Sequence, residues 1–274
     1  MDENNVYWFS HREADGYHVT QTDRFSGDSI TLDITTSNPY GISVQDSTVA
    51  WSAATYDMQL GWDGGVYETP VGGGASVRLP LSGAQGHLFR NSTTLFSVFV
   101  SSPTVNRYVN GVKGPYLTFD ANSVQHYAAD DDYVYWINNL ADTVERVPLQ
   151  GGPSEIVVPD PGVGEPYGLH TDDTNLYYVD LSGLWKKPLA GGNAVKLVSS
   201  NGSLGNVFTS DGSHVYYTAG GNTLRKIAVD GSSDIILATG ISYPSGGRRQ
   251  QMKVVDECLY RVDGSGIQVL ATTP

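Results

Sequence analysis

One short phrase recurs along the chain and constrains its fold more than any other feature. An acidic or polar residue is followed, after three spacers, by an aliphatic residue and one or two aromatic residues. It reads Asp2 to Val6-Tyr7-Trp8, Val49-Ala50-Trp51, Leu95-Phe96, Asp130 to Val134-Tyr135-Trp136, Asp172 to Leu176-Tyr177-Tyr178, Asp211 to Val215-Tyr216-Tyr217, and Leu259-Tyr260. The aliphatic anchors stand at positions 6, 49, 95, 134, 176, 215 and 259, so one copy takes 39 to 46 residues. A period in that range marks a tandem array of supersecondary units.

Two further phrases keep step with the first. Arg146-Val147-Pro148-Leu149-Gln150-Gly151-Gly152, Lys186-Lys187-Pro188-Leu189-Ala190-Gly191-Gly192 and Lys226-Ile227-Ala228-Val229-Asp230-Gly231 follow it, with a worn copy at Glu68-Thr69-Pro70-Val71-Gly72-Gly73. Gly-Gly and Asp-Gly between strand-like runs predict tight hairpins. Short apolar runs close the unit, as in Ile156-Val157-Val158, Val195-Lys196-Leu197-Val198 and Ile235-Ile236-Leu237. Asn38-Pro39-Tyr40-Gly41 and Glu165-Pro166-Tyr167-Gly168 precede the aromatic phrase. Each copy therefore predicts four strands, here lettered A to D, with the aromatic phrase on B. No stretch carries a helical period.

A four-stranded unit of this length cannot bury both its faces alone. Radial stacking covers each face with the next copy, which is the β-propeller solution. A strand covered on both faces need not alternate apolar with polar, which accounts for Val-Tyr-Trp. Residues 1–274 are accordingly read as one all-β domain, a β-propeller of four-stranded antiparallel blades. Seven anchors favour seven blades. The chain begins at strand B and ends near strand C, so its terminal copies are short and six blades is the alternative. The 32 glycines and 17 tyrosines suit many short strands and tight turns.

The B phrase resembles the YWTD-type β-propellers, which include lipoprotein-receptor ectodomains and bacterial relatives. The match is carried by Tyr7-Trp8-Phe9-Ser10, Tyr135-Trp136-Ile137-Asn138, Tyr177-Tyr178-Val179-Asp180, Tyr216-Tyr217-Thr218-Ala219 and Tyr260-Arg261-Val262-Asp263. Asp180 and Asp263 keep the family's closing Asp. The resemblance spans the whole chain and implies a non-enzymatic propeller that binds a protein or a small ligand.

Net charge narrows the partners. At −13 the chain repels phosphate-rich polymers, so nucleic acid is set aside. The longest apolar run, Leu95 to Val100, is too short to span a bilayer. The single cysteine, Cys258, forms no intrachain disulfide and reads as a small buried hydrophobe. Met1 to Asn5 is acidic and polar, unlike a leader, yet the Ser/Thr/Asn/Gly richness is that of an exported protein. An exported monomer without a cofactor is expected.

Function is expected at the channel mouth or on the blade-top face. Aligned on the anchors, Tyr40, Gly86, Gln125, Tyr167, Asn206 and Gln250 take one equivalent position on strand A, the innermost strand. Aromatic rings with uncharged amides suit a glycan or another neutral polar small molecule. His87 and His126 fall one place further on in consecutive copies. They supply the alternative reading, a propeller lyase or hydrolase acting on a glycan or peptide-like substrate. No catalytic residue and no metal ligand is assigned. Asp130-Asp131-Asp132 lacks the spaced ligands and glycine of a calcium loop. Phosphate-loop, zinc and nucleophile-elbow motifs are missing from the sequence.

Overall fold

The repeat phrases become strands in the computed structural model. It describes residues 4–45, 47–58, 61–81, 87–91, 93–98, 104–109, 112–114, 117–118, 124–159, 166–172, 174–200, 203–241, 252–255, 257–263 and 266–272. Among these there is no helix, and the strands form seven antiparallel sheets: the fold is a seven-bladed β-propeller. By internal contacts the chain divides into two compact units, Met1–Thr118 and Phe119–Pro274.

The first unit holds three sheets. Sheet 1 contains β1 (Asn5–Arg12), β2 (Gly16–Asp23) and β3 (Ser29–Thr35). Sheet 2 contains β4 (Asn38–Gln45), β5 (Thr48–Asp57), β6 (Gly61–Pro70) and β7 (Val77–Arg78). Sheet 3 contains β8 (His87–Arg90), β9 (Thr94–Val98) and β10 (Thr104–Val109), with β11 (Val112–Lys113) and β12 (Leu117–Thr118) both pairing β10.

The second unit holds four sheets. Sheet 4 contains β13 (Val124–Ala129), β14 (Tyr133–Asn138), β15 (Thr143–Pro148) and β16 (Glu155–Val158). Sheet 5 contains β17 (Gly168–Thr171), β18 (Asn175–Asp180), β19 (Gly183–Pro188) and β20 (Val195–Ser199). Sheet 6 contains β21 (Leu204–Ser210), β22 (His214–Ala219), β23 (Thr223–Ala228) and β24 (Asp234–Thr239). Sheet 7 contains β25 (Met252–Val255), β26 (Cys258–Asp263) and β27 (Gly266–Ala271). The first and last sheets have three strands each among the described residues, as the truncated terminal copies predict.

The apolar cores lie between sheets. On β18, Tyr177 and Val179 pack with Val215, Tyr217 and Phe208 of sheet 6, while Leu176 and Tyr178 pack with Tyr135 and Ile137 of sheet 4. Sheet 6 repeats the division: Val215 and Tyr217 face sheet 5, and Tyr216 packs with Met252 and Leu259 of sheet 7. In the first unit, Tyr7 and Val19 pack on Val49 and Trp51, while Ala50 and Val66 pack on Leu88 and Leu95. A period of two thus serves two interfaces, and a continuous apolar run is its natural sequence.

Buried tyrosines need an acceptor for their hydroxyls. In sheets 4 to 6 the turn Asp supplies it. Asp130 Oδ1 accepts the Asp132 and Tyr133 amides at 2.8 and 2.7 Å, while Oδ2 accepts the Tyr135 hydroxyl at 2.6 Å. Asp172 does the same for Tyr177 at 2.7 Å, and Asp211 for Tyr216 at 2.8 Å. Burial pushes these tyrosines up, and the neighbouring carboxylate adds to the shift. In these three sheets the Asp that opens the phrase is therefore a turn cap and a tyrosine anchor.

In sheets 1, 5 and 6 the residue opposite the first aromatic on strand C fastens one sheet to the next, whereas Arg146 of sheet 4 pairs with Glu155 of its own sheet. Gln21, opposite Tyr7, accepts the Gly72 amide at 2.8 Å. Lys186, opposite Tyr177, donates to the Val229 carbonyl at 2.5 Å. Lys226, opposite Tyr216, donates to the Thr272 carbonyl at 2.8 Å.

The glycine of the Pro-Tyr-Gly phrase has a packing cause. A Cβ on Gly168 would lie 2.7 Å from the Phe208 ring and 3.1 Å from the Asn206 carbonyl oxygen. One on Gly41 would lie 2.9 Å from the Leu88 amide nitrogen. In both cases the next sheet's first strand occupies the space a side chain would need. Gly168→Ala is expected to cost roughly 1–3 kcal/mol through overpacking, read as a lower denaturant midpoint with an unchanged slope.

Candidate functional site

The first strands lie side by side within each unit. β13, β17, β21 and β25 neighbour one another in that order, as do β4 and β8. Each stands at the edge of its sheet, so strand A is the innermost element of a blade.

These strands break register where the sequence placed its candidate ring. In β4 the pairing jumps from Pro39 opposite Ala53 to Gly41 opposite Ser52, which leaves Tyr40 as the extra residue. In β13 it jumps from Val124 opposite Asn138 to Tyr127 opposite Trp136, across Gln125 and His126. In β21 it jumps from Leu204 opposite Ala219 to Phe208 opposite Tyr217, across Gly205, Asn206 and Val207. A bulge leaves residues unpaired and re-aims their side chains. A constant offset from the aliphatic anchor therefore lands on irregular backbone. Gly205 belongs to this geometry, since a Cβ there would stand 1.9 Å from Thr218 Oγ1.

Tyr40 is 37% exposed, and Asn206 is exposed. Tyr167 precedes β17, donates its amide to the Val179 carbonyl at 2.8 Å and is half-buried. Its hydroxyl reaches the Leu204 carbonyl of the next sheet at 3.4 Å. Burial and the nearby Asp180 charge push that hydroxyl up. His126 is half-buried. Gln125 lies on the backbone of β13, and His87 opens β8 opposite Val98. Gln250, Gly86 and the pair Arg248-Arg249 lie outside the described residues. Tyr167, Asn206, Gln125 and His126 belong to neighbouring inner strands of the second unit; Tyr40 and His87 belong to adjoining inner strands of the first.

Asp180, at the end of β18, is fully buried. Its Oδ1 accepts the Ser182 amide at 2.7 Å, the Ser182 hydroxyl at 2.8 Å and the Gly183 amide at 2.9 Å. That oxygen closes the turn into β19, while Oδ2 is buried without a hydrogen-bond partner. Among the described residues no group of three or more His, Cys, Asp or Glu is placed to hold a metal ion. Asp130 spends both oxygens on its turn and Tyr135, which settles its role in the acidic run.

The sequence did not single out the network around His170. Its Nε2 accepts the Ser210 amide at 3.2 Å, and the Ser210 hydroxyl donates to Asp172 Oδ2 at 3.0 Å. The ring packs against Tyr177 and Phe208. Desolvation pulls His170 down to about 4, with Asp172 opposing and Lys253 of β25 assisting. The ring is therefore neutral, with its proton on Nδ1. The clue in the sequence was indirect: Ser210 stands one residue before the phrase-opening Asp211 of the following copy.

His170 titrates lower in the folded chain than its ordinary 6.5, so the unfolded chain takes up the proton first. Its contribution is present above about pH 6.5 and is lost as pH falls toward about 4. Between pH 7 and 5 the loss is expected to be about 1–2 kcal/mol. Urea unfolding at stepped pH checks this, and His170→Gln is expected to flatten the dependence in that window.

No family model matches the sequence, and no curated protein does. Solved structures do match. Virginiamycin B lyase from Staphylococcus aureus superposes with a TM-score of 0.69 at 11% identity, over 100% of this chain and 96% of that one. A chain from the nidogen/laminin complex gives 0.54 at 14%, over 98% and 89%. The computationally designed Ika8 protein gives 0.66 at 11%, over 99% and 81%. A lyase, a chain from a protein complex and a designed protein share the architecture, so the likeness shows the fold alone.

Proposed function

We propose that this chain is a non-enzymatic binding propeller that takes a neutral polar ligand, a glycan or small molecule, where the innermost strands of its second unit begin. The observation that carries this reading is the placement of the bulges. Two inner strands of that unit break register there, at Gln125-His126 and at Gly205-Asn206-Val207; in the first unit β4 does so at Tyr40. Bulges of this kind release side chains from the ladder and aim them elsewhere. The residue types at these breaks are aromatic, amide and imidazole, the types that stack on and hydrogen-bond to uncharged polar molecules. Asn206 is open to solvent, Tyr167 stands just before β17, and Tyr40 of the first unit is also open. His170 is spent on the fold, since its free lone pair accepts a backbone amide.

Recognition of a protein is the second form of the same reading; the nidogen/laminin likeness is its support. Export, the expectation from composition, suits a protein that meets extracellular glycans. A thermal-shift screen of neutral oligosaccharides and small polar molecules supplies the probe. Tyr167→Ala combined with Asn206→Ala is expected to keep the melting temperature within a few degrees and weaken the best hit at least about tenfold. Unchanged affinity in that folded variant rejects the site.

A further inference from the structure

Sheets 4 and 5 keep polar atoms without partners in their interior. Asp180 ends β18 and is fully buried. Three donors share its Oδ1, the Ser182 amide and hydroxyl and the Gly183 amide. Its Oδ2 is buried and accepts no hydrogen bond. The indole Nε1 of Trp185 is buried without an acceptor, and Asn139 Oδ1, in the turn after β14, is buried without a donor. A buried polar atom left unpaired is costly, and a carboxylate oxygen more so than a neutral one. Each such atom in a folded chain asks for a cause.

Register puts these groups at one interface. Tyr178 and Asp180 follow Leu176 at steps of two, on the face of sheet 5 that packs against sheet 4. Trp185 lies opposite Tyr178, with the two rings stacked at 6.0 Å, and packs on the same core. Asn139 stands two residues beyond Ile137, which sheet 4 gives to that core. Burial and the nearby Asp180 charge push up the hydroxyls of Tyr178 and, in the inner-strand site, of Tyr167. Among the described residues, this core takes none from 138–142 or 180–183. Leu140 and Leu181, in the two turns, are 69% and 51% exposed. The interface is therefore apolar in its middle and polar at the end where the inner strands begin. Its turns can part there without opening the core.

The unpaired atoms select the occupant. Asp180 Oδ2 and Asn139 Oδ1 are acceptors and Trp185 Nε1 is a donor, so the complement carries at least two donors and an acceptor. Three hydrogen bonds on Oδ1 already stabilise the Asp180 charge, so Oδ2 asks for a donor rather than a counter-ion. A hydroxyl group serves both roles, since it donates once and accepts twice. The Tyr178 and Trp185 rings supply apolar surface for the carbon frame that joins the hydroxyls.

We infer that this end of the interface between sheets 4 and 5 binds a neutral polyhydroxy molecule, with Asp180 Oδ2 as acceptor and Trp185 Nε1 as donor for its hydroxyls. This rests on the reading that ligands bind where the inner strands of the second unit begin, and it names the groups that meet them. Calorimetric titration of the full chain with glucose, galactose, N-acetylglucosamine, sorbitol and myo-inositol tests it, with ethanolamine as a cationic probe. At least one neutral probe is expected to bind; sorbitol or inositol binding assigns free polyols, and binding of the sugars alone assigns a sugar ring. Asp180→Asn replaces the acceptor Oδ2 by a donor and keeps the turn. Asn138 fills the same position in sheet 4, where its Oδ1 accepts the Leu140 amide at 3.1 Å. The Asn variant is expected to melt within a few degrees of the unsubstituted protein and to bind about tenfold or more weakly. Trp185→Phe, which removes the indole donor, is expected to weaken binding about threefold. Equal affinity in either variant overturns the inference; if the Tyr167/Asn206 variant loses binding in the same assay, the inner-strand reading stands without it. Tighter binding of ethanolamine than of every neutral probe overturns the neutral class. No binding of any of the five neutral probes overturns the inference as well.

Discussion

Sheets 2, 5 and 6 of this protein are buried on both faces by the sheets beside them, and the rest of the structure follows from that requirement. On β18 one set of alternate residues meets sheet 4 and the other meets sheet 6. The hydrophobic free energy is therefore gained between repeats, as in any stacked array. Inner strands must also come close at the narrow end, which is why Gly41 and Gly168 have no room for a side chain.

Burial on this scale brings polar groups with it, and they are satisfied in a repeated way. The turn Asp closes its own hairpin with one oxygen and receives a buried tyrosine hydroxyl with the other. Tyrosine can then occupy core positions where an unpaired hydroxyl would be costly. Asp172 goes further and accepts Ser210 from the next sheet. The Lys and Gln positions on strand C add links to neighbouring backbone. Oil-like packing sets the spacing of the blades, while these directional bonds hold their register.

Function has room where the regular pattern relaxes. The inner strands are regular over the part that packs against the aromatic phrase and irregular at their beginnings. Released residues there include the exposed Tyr40 and Asn206. The turns at that end of sheets 4 and 5 give no residue to the core between those sheets, so variation is tolerated there.

The sequence by itself determined the all-β class, the seven copies, the short terminal sheets and the two-sided burial of Val134 to Ile137 and Leu176 to Val179, because a period of two and a copy length near 40 are local properties of the chain. It placed Tyr40, Tyr167 and Asn206 at one position of the inner strand; Tyr40 and Asn206 lie within β4 and β21, while Tyr167 precedes β17. What it did not contain was the bulges, since an extra residue in a strand looks like any other residue until its partner across the ladder is known. The neutral state of His170 was equally out of reach: it depends on Ser210, Phe208 and Lys253, which come from the next two sheets. These contacts join residues distant along the chain, and only the stacking of sheets and the closing of hairpins decides which of them meet.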